Sequence, residues 1–250
     1  MKSQQVTLKE IELGIYLIEM KNTSEHNSFN EQVSELSEIV KQIQVNTLIK
    51  VVLIRGNQEY FSSGASIELL KQLAAKKTTP EIHLPRLILS IPVPVIVCME
   101  ENALGGGFAL ALSCDFIFIA KEKRYGFTFM NFGFTPGMGL VKLSEDCFGP
   151  SLANELLYTG KTIKGAGLSQ CPGITRVLPA HEIYEEALGM AREIAKKPHY
   201  SLRLLKNALA TPRREKYEAS FLIEKSMHES CLTEPAVQES LKRWNAADEY

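Results

Sequence analysis

Within residues 5–20, polar and apolar positions alternate ("VTLKEIELGIYLIEM") and break at Glu12–Gly14, which predicts two short strands joined by a turn. The polar stretch "NTSEHNSFN" reads as a loop. Asn30 then reads as the N-cap of an amphipathic helix over "EQVSELSEIVKQIQVN". Short runs rich in β-branched residues, "IKVVLIRG", "VIVCME" and "FIFIA", have the length of buried strands. "RYGFT" and "ITRVLP" predict two more strands. Helical patterns lie between them: one entered near Ile67, then "LPRLILSI", "GGGFALALSCD", the run that follows "NFGFTPGMG", and "PSLANELLYTG" ended by Gly160.

Strands alternating with helices as far as about residue 180 predict an α/β core built from repeated β–β–α or β–α–β units. From His181 onward no strand pattern remains. The expected division is therefore a sheet-and-helix core over 1–180 and a helical region over 181–250.

Composition narrows the function classes. A chain of 250 residues with 45% hydrophobic and 23% charged residues is long enough for a sizeable core. Its net charge of −1 argues against a dedicated nucleic-acid binder, which is ordinarily basic. No apolar run approaches the about 20 residues of a membrane span, and the polar start carries no export signal, so a cytoplasmic protein is expected. The five cysteines (98, 114, 147, 171 and 231) show no metal-ligand or CxxC spacing, and Cys98 and Cys114 lie in apolar runs as small core residues. No zinc site, redox dithiol or other metal site is expected.

Two segments, "SSGAS" and "LGGGF", share one logic: a strand ends, small residues make a tight turn, and a helix begins. Backbone N–H groups at such a junction lack helical acceptors and sit at the positive end of the helix dipole. Two of them aimed at one point make an oxyanion hole for a carbonyl oxygen, and the candidate donors are Ala65 and Gly106. The alternative is that the glycines only allow close helix–strand packing. Neither turn has a Walker or GxGxxG pattern, so nucleotide phosphate is not an expected ligand.

Together, "YFSSGASIELL", "PVPVIVCMEENALGGGFALALSCDF" and "YGFTFMNFGFTPGMGL" resemble the crotonase (enoyl-CoA hydratase/isomerase) superfamily over nearly the whole chain, from about residue 8 to 245. The resemblance implies a crotonase-like spiral of ββα units with a C-terminal helical trimerisation region. It also implies a trimer or dimer of trimers, and an acyl-thioester ligand whose oxygen meets the amides of Ala65 and Gly106. A hydratase of that family carries one glutamate two residues after the triple glycine, where this chain has Ala109. It carries another in the segment aligned with "YGFTFMNFGF", where this chain has Phe129. Hydration by the usual carboxylate pair is therefore not expected.

"MNFGFTPGMG" and "EKSMHES" resemble the decarboxylases of polyketide β-branching, the second crotonase-like enzyme of those cassettes. That resemblance implies loss of carbon dioxide from a 3-methylglutaconyl-type thioester on an acyl carrier protein, leaving 3-methylcrotonyl. Its lysine falls on Lys76, with Lys77 as the alternative, and its histidine on His228. It implies no cofactor beyond the phosphopantetheine arm that carries the substrate. An enoyl isomerase and a non-catalytic acyl-thioester scaffold are the competing readings. Phe127, Phe129, Phe132 and Phe134 are candidates for an apolar wall, against the alternative of plain core. Asn131 is a weaker candidate for the pocket rim. Lys71, Lys76, Lys77, Arg203, Lys206, Arg213 and Arg214 are candidates for a basic face that meets an acidic carrier.

Overall fold

The computed structural model describes residues 5–21, 29–56, 61 and 84–243. Strand β1 (Val6–Glu12) pairs antiparallel with β2 (Ile15–Met20), as the alternation predicts. Four further strands extend the sheet in parallel: β3 (Val51–Arg55), β4 (Val95–Met99), β6 (Phe116–Ala120) and β9 (Arg176–Leu178), in the order β1-β2-β3-β4-β6-β9. A second sheet joins β5 (Ala103–Leu104), β7 (Arg124–Gly126) and β8 (Thr162–Lys164) in the order β5-β7-β8.

Strands β4 and β6 are apolar at every position because both faces of the sheet are covered. On one face Val52, Ile54, Val95, Val97, Ile117 and Ile119 join the main core, packed with α1 (Phe29–Val45), α2 (Leu84–Ser90), α3 (Gly106–Leu112) and α4 (Leu140–Phe148). On the other face Val51, Leu53, Ile96, Cys98, Phe118 and Ala120 meet α6 (Ala180–Ala195). Helix α6 supplies Ile183, Ala187 and Ala191, four residues apart along one stripe. Helix α5 (Pro150–Thr159) starts on a proline and ends at Gly160 in the left-handed region, as its punctuation predicts. The 35-residue α7 (His199–Thr233) and α8 (Pro235–Arg243) complete the described chain.

One local expectation is corrected, and two short strands carried no sequence signal. Helix α1 begins at Phe29, so Asn30 lies inside its first turn rather than capping it. Strands β5 and β8, of two and three residues, are too short to show a period and exist through their pairing with β7. Tyr125 is fully buried on β7; its hydroxyl donates to the Met99 carbonyl at 2.9 Å and accepts from the Ala120 N–H at 2.9 Å. No helix among the described residues is long and apolar enough to cross a membrane.

Candidate active site

The glycine turn is built where β5 ends and α3 begins. Gly105 is the N-cap of α3 with φ 52°, a conformation that a side chain would strain, and its N–H donates to the Gly126 carbonyl at 2.9 Å. Gly106 follows as the first helical residue, so its N–H has no acceptor within the helix. The backbone N–H of Phe61 donates to the carbonyl of Asn102 at 3.0 Å, joining the segment that leads into "SSGAS" to the segment that leads into "GGG". Ala65, Lys71, Lys76 and Lys77 lie outside the described residues.

Beside this turn stand an aromatic ring and a hydroxyl. A Cβ on Gly105 would find Phe129 Cζ at 3.9 Å and Thr128 Oγ1 at 4.0 Å. Phe129 meets Phe134 edge-on at 5.9 Å between ring centroids, and Phe134 meets the His228 imidazole edge-on at 5.2 Å. A continuous aromatic series thus runs from the glycine turn to His228, with Phe132 stacked on Phe134 at 5.9 Å. Phe127 does not belong to it. That ring is fully buried and stacks on Phe108 at 5.2 Å in the main core, so its place in an apolar wall is corrected. Ala109, at the first carboxylate position of a hydratase, is also fully buried, one turn into α3.

His228 projects from α7 and is half-buried. Its Nδ1 lies 3.0 Å from the carbonyl oxygen of Thr135. A carbonyl only accepts, so the bond requires Nδ1 to carry the proton and leaves Nε2 as the basic nitrogen of the neutral ring. Burial lowers the imidazole pKa from its ordinary value, against the smaller upward pull of the Thr135 carbonyl.

Glu224 and Asn131 have structural partners in the surrounding segment. Glu224 is 1% exposed and accepts from the N–H of Gly139 at 2.5 Å, the N–H of Val141 at 2.8 Å and the Ser220 hydroxyl at 2.8 Å. Burial pushes its carboxyl above the ordinary range, opposed by these donors. No sequence signal marked it, since a glutamate in "IEKSMHES" reads as solvated helix. Asn131 donates from Nδ2 to the Gly160 carbonyl at 3.0 Å, which explains the residue without a rim role.

The basic-face candidates divide. Lys206 is 3% exposed and pairs with Asp115 at 2.5 Å, while Arg213 reaches Asp115 at 3.3 Å and the carbonyls of Leu112 and Cys114. These two are therefore removed from the docking candidates: they tie α7 to the C-terminal end of α3 rather than meeting a partner. Arg203 and Arg214 remain part-exposed.

The glycine turn at the start of α3 thus lies against a parallel-sheet core, with the Phe129 ring beside it. The chain belongs to the enoyl-CoA hydratase/isomerase family, whose model matches residues 10–247. It is 33% identical over 239 residues to the bacillaene synthase decarboxylase PksI of Bacillus subtilis, covering 95% of this chain and 96% of that protein. The decarboxylase domain of CurF from Lyngbya majuscula is 30% identical with a TM-score of 0.89, over 96% of this chain and 99% of that one. A structure from a dehydratase/decarboxylase enzyme couple of polyketide β-branching is 32% identical with a TM-score of 0.90, over 97% and 99%.

Proposed function

We propose that this protein is a decarboxylase of polyketide β-branching that converts a 3-methylglutaconyl thioester on an acyl carrier protein to the 3-methylcrotonyl thioester. The observation that carries this reading is the Phe129 ring against the Gly105 turn. With Ala109 buried in α3, both positions that hold carboxylates in a hydratase hold hydrocarbon here. The similarity to decarboxylases over nearly the full chain supports the same reading.

In the proposed reaction the breaking bond stands out of the plane of the conjugated system, aligned with its p orbitals, an alignment set by Lys76 (or Lys77) holding the substrate carboxylate. Carbon dioxide departs and its bonding pair enters the π system, ending as a dienolate on the thioester oxygen. The amides of Ala65 and Gly106 face that oxygen; a donor of this kind contributes about 2.7–4 kcal/mol to the transition state. The ground-state carboxylate bears concentrated charge and the dienolate bears dispersed charge. A wall of Phe129, Phe132 and Phe134 therefore disfavours the first more than the second. His228 takes one proton from solvent as the anionic substrate enters and delivers it to the γ carbon that carbon dioxide left. The depressed pKa makes its imidazolium a stronger acid for that delivery. One proton is consumed per turnover and the imidazole returns neutral. No nucleophile, metal or organic cofactor is required beyond the carrier's phosphopantetheine arm, and the oligomer proposed is the trimer or dimer of trimers.

His228→Ala and Lys76→Ala test the assignment, assayed with the 3-methylglutaconyl carrier thioester. Each is expected to lower kcat by at least about 10²-fold, the scale of positioned acid–base catalysis. Full turnover by both would reject these roles, with Lys77→Ala as the next variant. A mass-neutral double-bond shift by the wild type would instead favour an isomerase, and an unchanged substrate a scaffold.

A further inference from the structure

Glu224 precedes His228 by one helical turn on α7, and both side chains bind the same short segment, residues 135–141. At one end of that segment the Thr135 carbonyl receives the His228 Nδ1–H at 3.0 Å. At the other end Gly139 is the N-cap of α4 but has no side chain with which to cap it. Glu224 takes over that duty from a different helix, accepting the N–H groups of Gly139 and Val141 that α4 cannot use itself. Between the two anchors, Met138 has φ 68°, a left-handed conformation that a non-glycine residue keeps only where its surroundings over-determine it.

We infer that Glu224 is the positioning residue of His228: by holding the strained 135–141 segment against α7, it keeps the Thr135 carbonyl on Nδ1 and so fixes which imidazole nitrogen is free for the reaction. Residues four apart share one face of a helix, so the two anchors form a single rigid patch. The Ser220 hydroxyl, another turn back, braces the carboxylate at 2.8 Å. Without the carboxylate, Met138 is free to relax toward negative φ, and the Thr135 carbonyl moves with it. This inference rests on the decarboxylase reading for its catalytic consequence, but its structural claim does not.

The test is 15N NMR of the imidazole at neutral pH in the full chain, comparing wild type, Glu224→Gln and Glu224→Asp, without substrate. Gln sets an N–H against a backbone N–H and breaks the anchor, while Asp keeps the charge. In the wild type the Nδ1–H tautomer of His228 is expected to dominate. Glu224→Gln should shift the population toward Nε2–H, and Glu224→Asp should restore part of it. With the 3-methylglutaconyl carrier thioester, Glu224→Gln should lower kcat by about 10²-fold, the cost of misplacing a catalytic group, with KM within about twofold. An unchanged tautomer in a folded Glu224→Gln overturns the inference whatever the reaction proves to be. Failure of both variants to fold also overturns it, because Glu224 would then be a stability element alone. A shifted tautomer with no decarboxylation in the wild type would reject the proposed reaction while leaving the positioning role intact.

Discussion

The backbone N–H of Phe61 donates a hydrogen bond to the carbonyl oxygen of Asn102, at 3.0 Å. Ala65 follows the first residue by four positions and Gly106 follows the second by four. This main-chain pairing holds Phe61 beside Asn102 at the approach to the glycine turn. It depends on no side-chain identity, so the turn can persist when neighbouring catalytic side chains change. The alanine at 109 and the phenylalanine at 129 leave that main-chain pairing intact.

Restoring a carboxylate on α3 should therefore not restore hydration. Ala109 is fully buried, and Phe129 still faces the turn. Ala109→Glu is expected to show no water addition to a crotonyl thioester. Its unfolding free energy, read by urea titration, should fall as for overpacking, by about 1–3 kcal/mol or more, since an ionisable group is buried as well. Efficient hydration by this single variant would contradict the reading of the site.

The buried pair of Lys206 and Asp115 should respond asymmetrically. Lys206 has a side chain 2% exposed, whereas Asp115 also receives the Val95 N–H at 2.8 Å and Arg213 at 3.3 Å. Asp115→Ala strands a buried ammonium and orphans a backbone donor, for an expected loss of about 3–5 kcal/mol. Lys206→Met leaves Asp115 with two partners and replaces the amine by hydrocarbon, so it should cost less. Denaturant unfolding of the two variants decides the order.

The pH dependence of stability should carry the mark of His228. Burial sets its folded pKa below the ordinary 6.5. Above pH 6.5 both folded and unfolded imidazoles are neutral, and the contribution is fully present. As pH falls below 6.5 the unfolded chain binds the proton first, so stability is lost until the folded pKa is passed. Unfolding curves of wild type and His228→Gln should diverge in slope across that interval, with the wild type losing more on acidification. An imidazole NMR midpoint above 6.5 would reverse the sign.

The turn at 138–139 offers a balance of two effects. Met138→Gly removes left-handed strain of about 1–2 kcal/mol. It also empties a side chain that is 8% exposed, for which truncation costs about 2–5 kcal/mol. The cavity wins, and thermal unfolding should show net destabilisation. At Gly139, with φ 75°, an added Cβ would collide with Cδ2 and Cε2 of Tyr217. Gly139→Ala should therefore be the more damaging of the two.

Much of the core was legible because its signals are local. "VIVCM" and "FIFIA" are apolar at consecutive positions, and their alternate residues serve two different faces of one sheet. The turn at "GGG" was legible for the same reason, since Gly105 takes the positive φ that only its composition hinted at. What escaped depends on partners far along the chain. Lys206 reads as solvated until Asp115, 91 residues away, is brought against it. Glu224 looks like an exposed helix residue until Gly139, 85 residues away, presents its N–H. Phe127 and Phe129 are two residues apart, yet only the fold separates the core ring from the one at the glycine turn. His228 drew notice through family resemblance rather than through its own pattern.

The most direct test of the decarboxylase reading is mass spectrometry of a 3-methylglutaconyl acyl carrier protein incubated with the wild-type enzyme in deuterium oxide. The expected product has lost one carbon dioxide and gained one deuterium at the γ carbon, as the 3-methylcrotonyl thioester. Addition of water, or a carrier that keeps its carboxylate, would contradict the account.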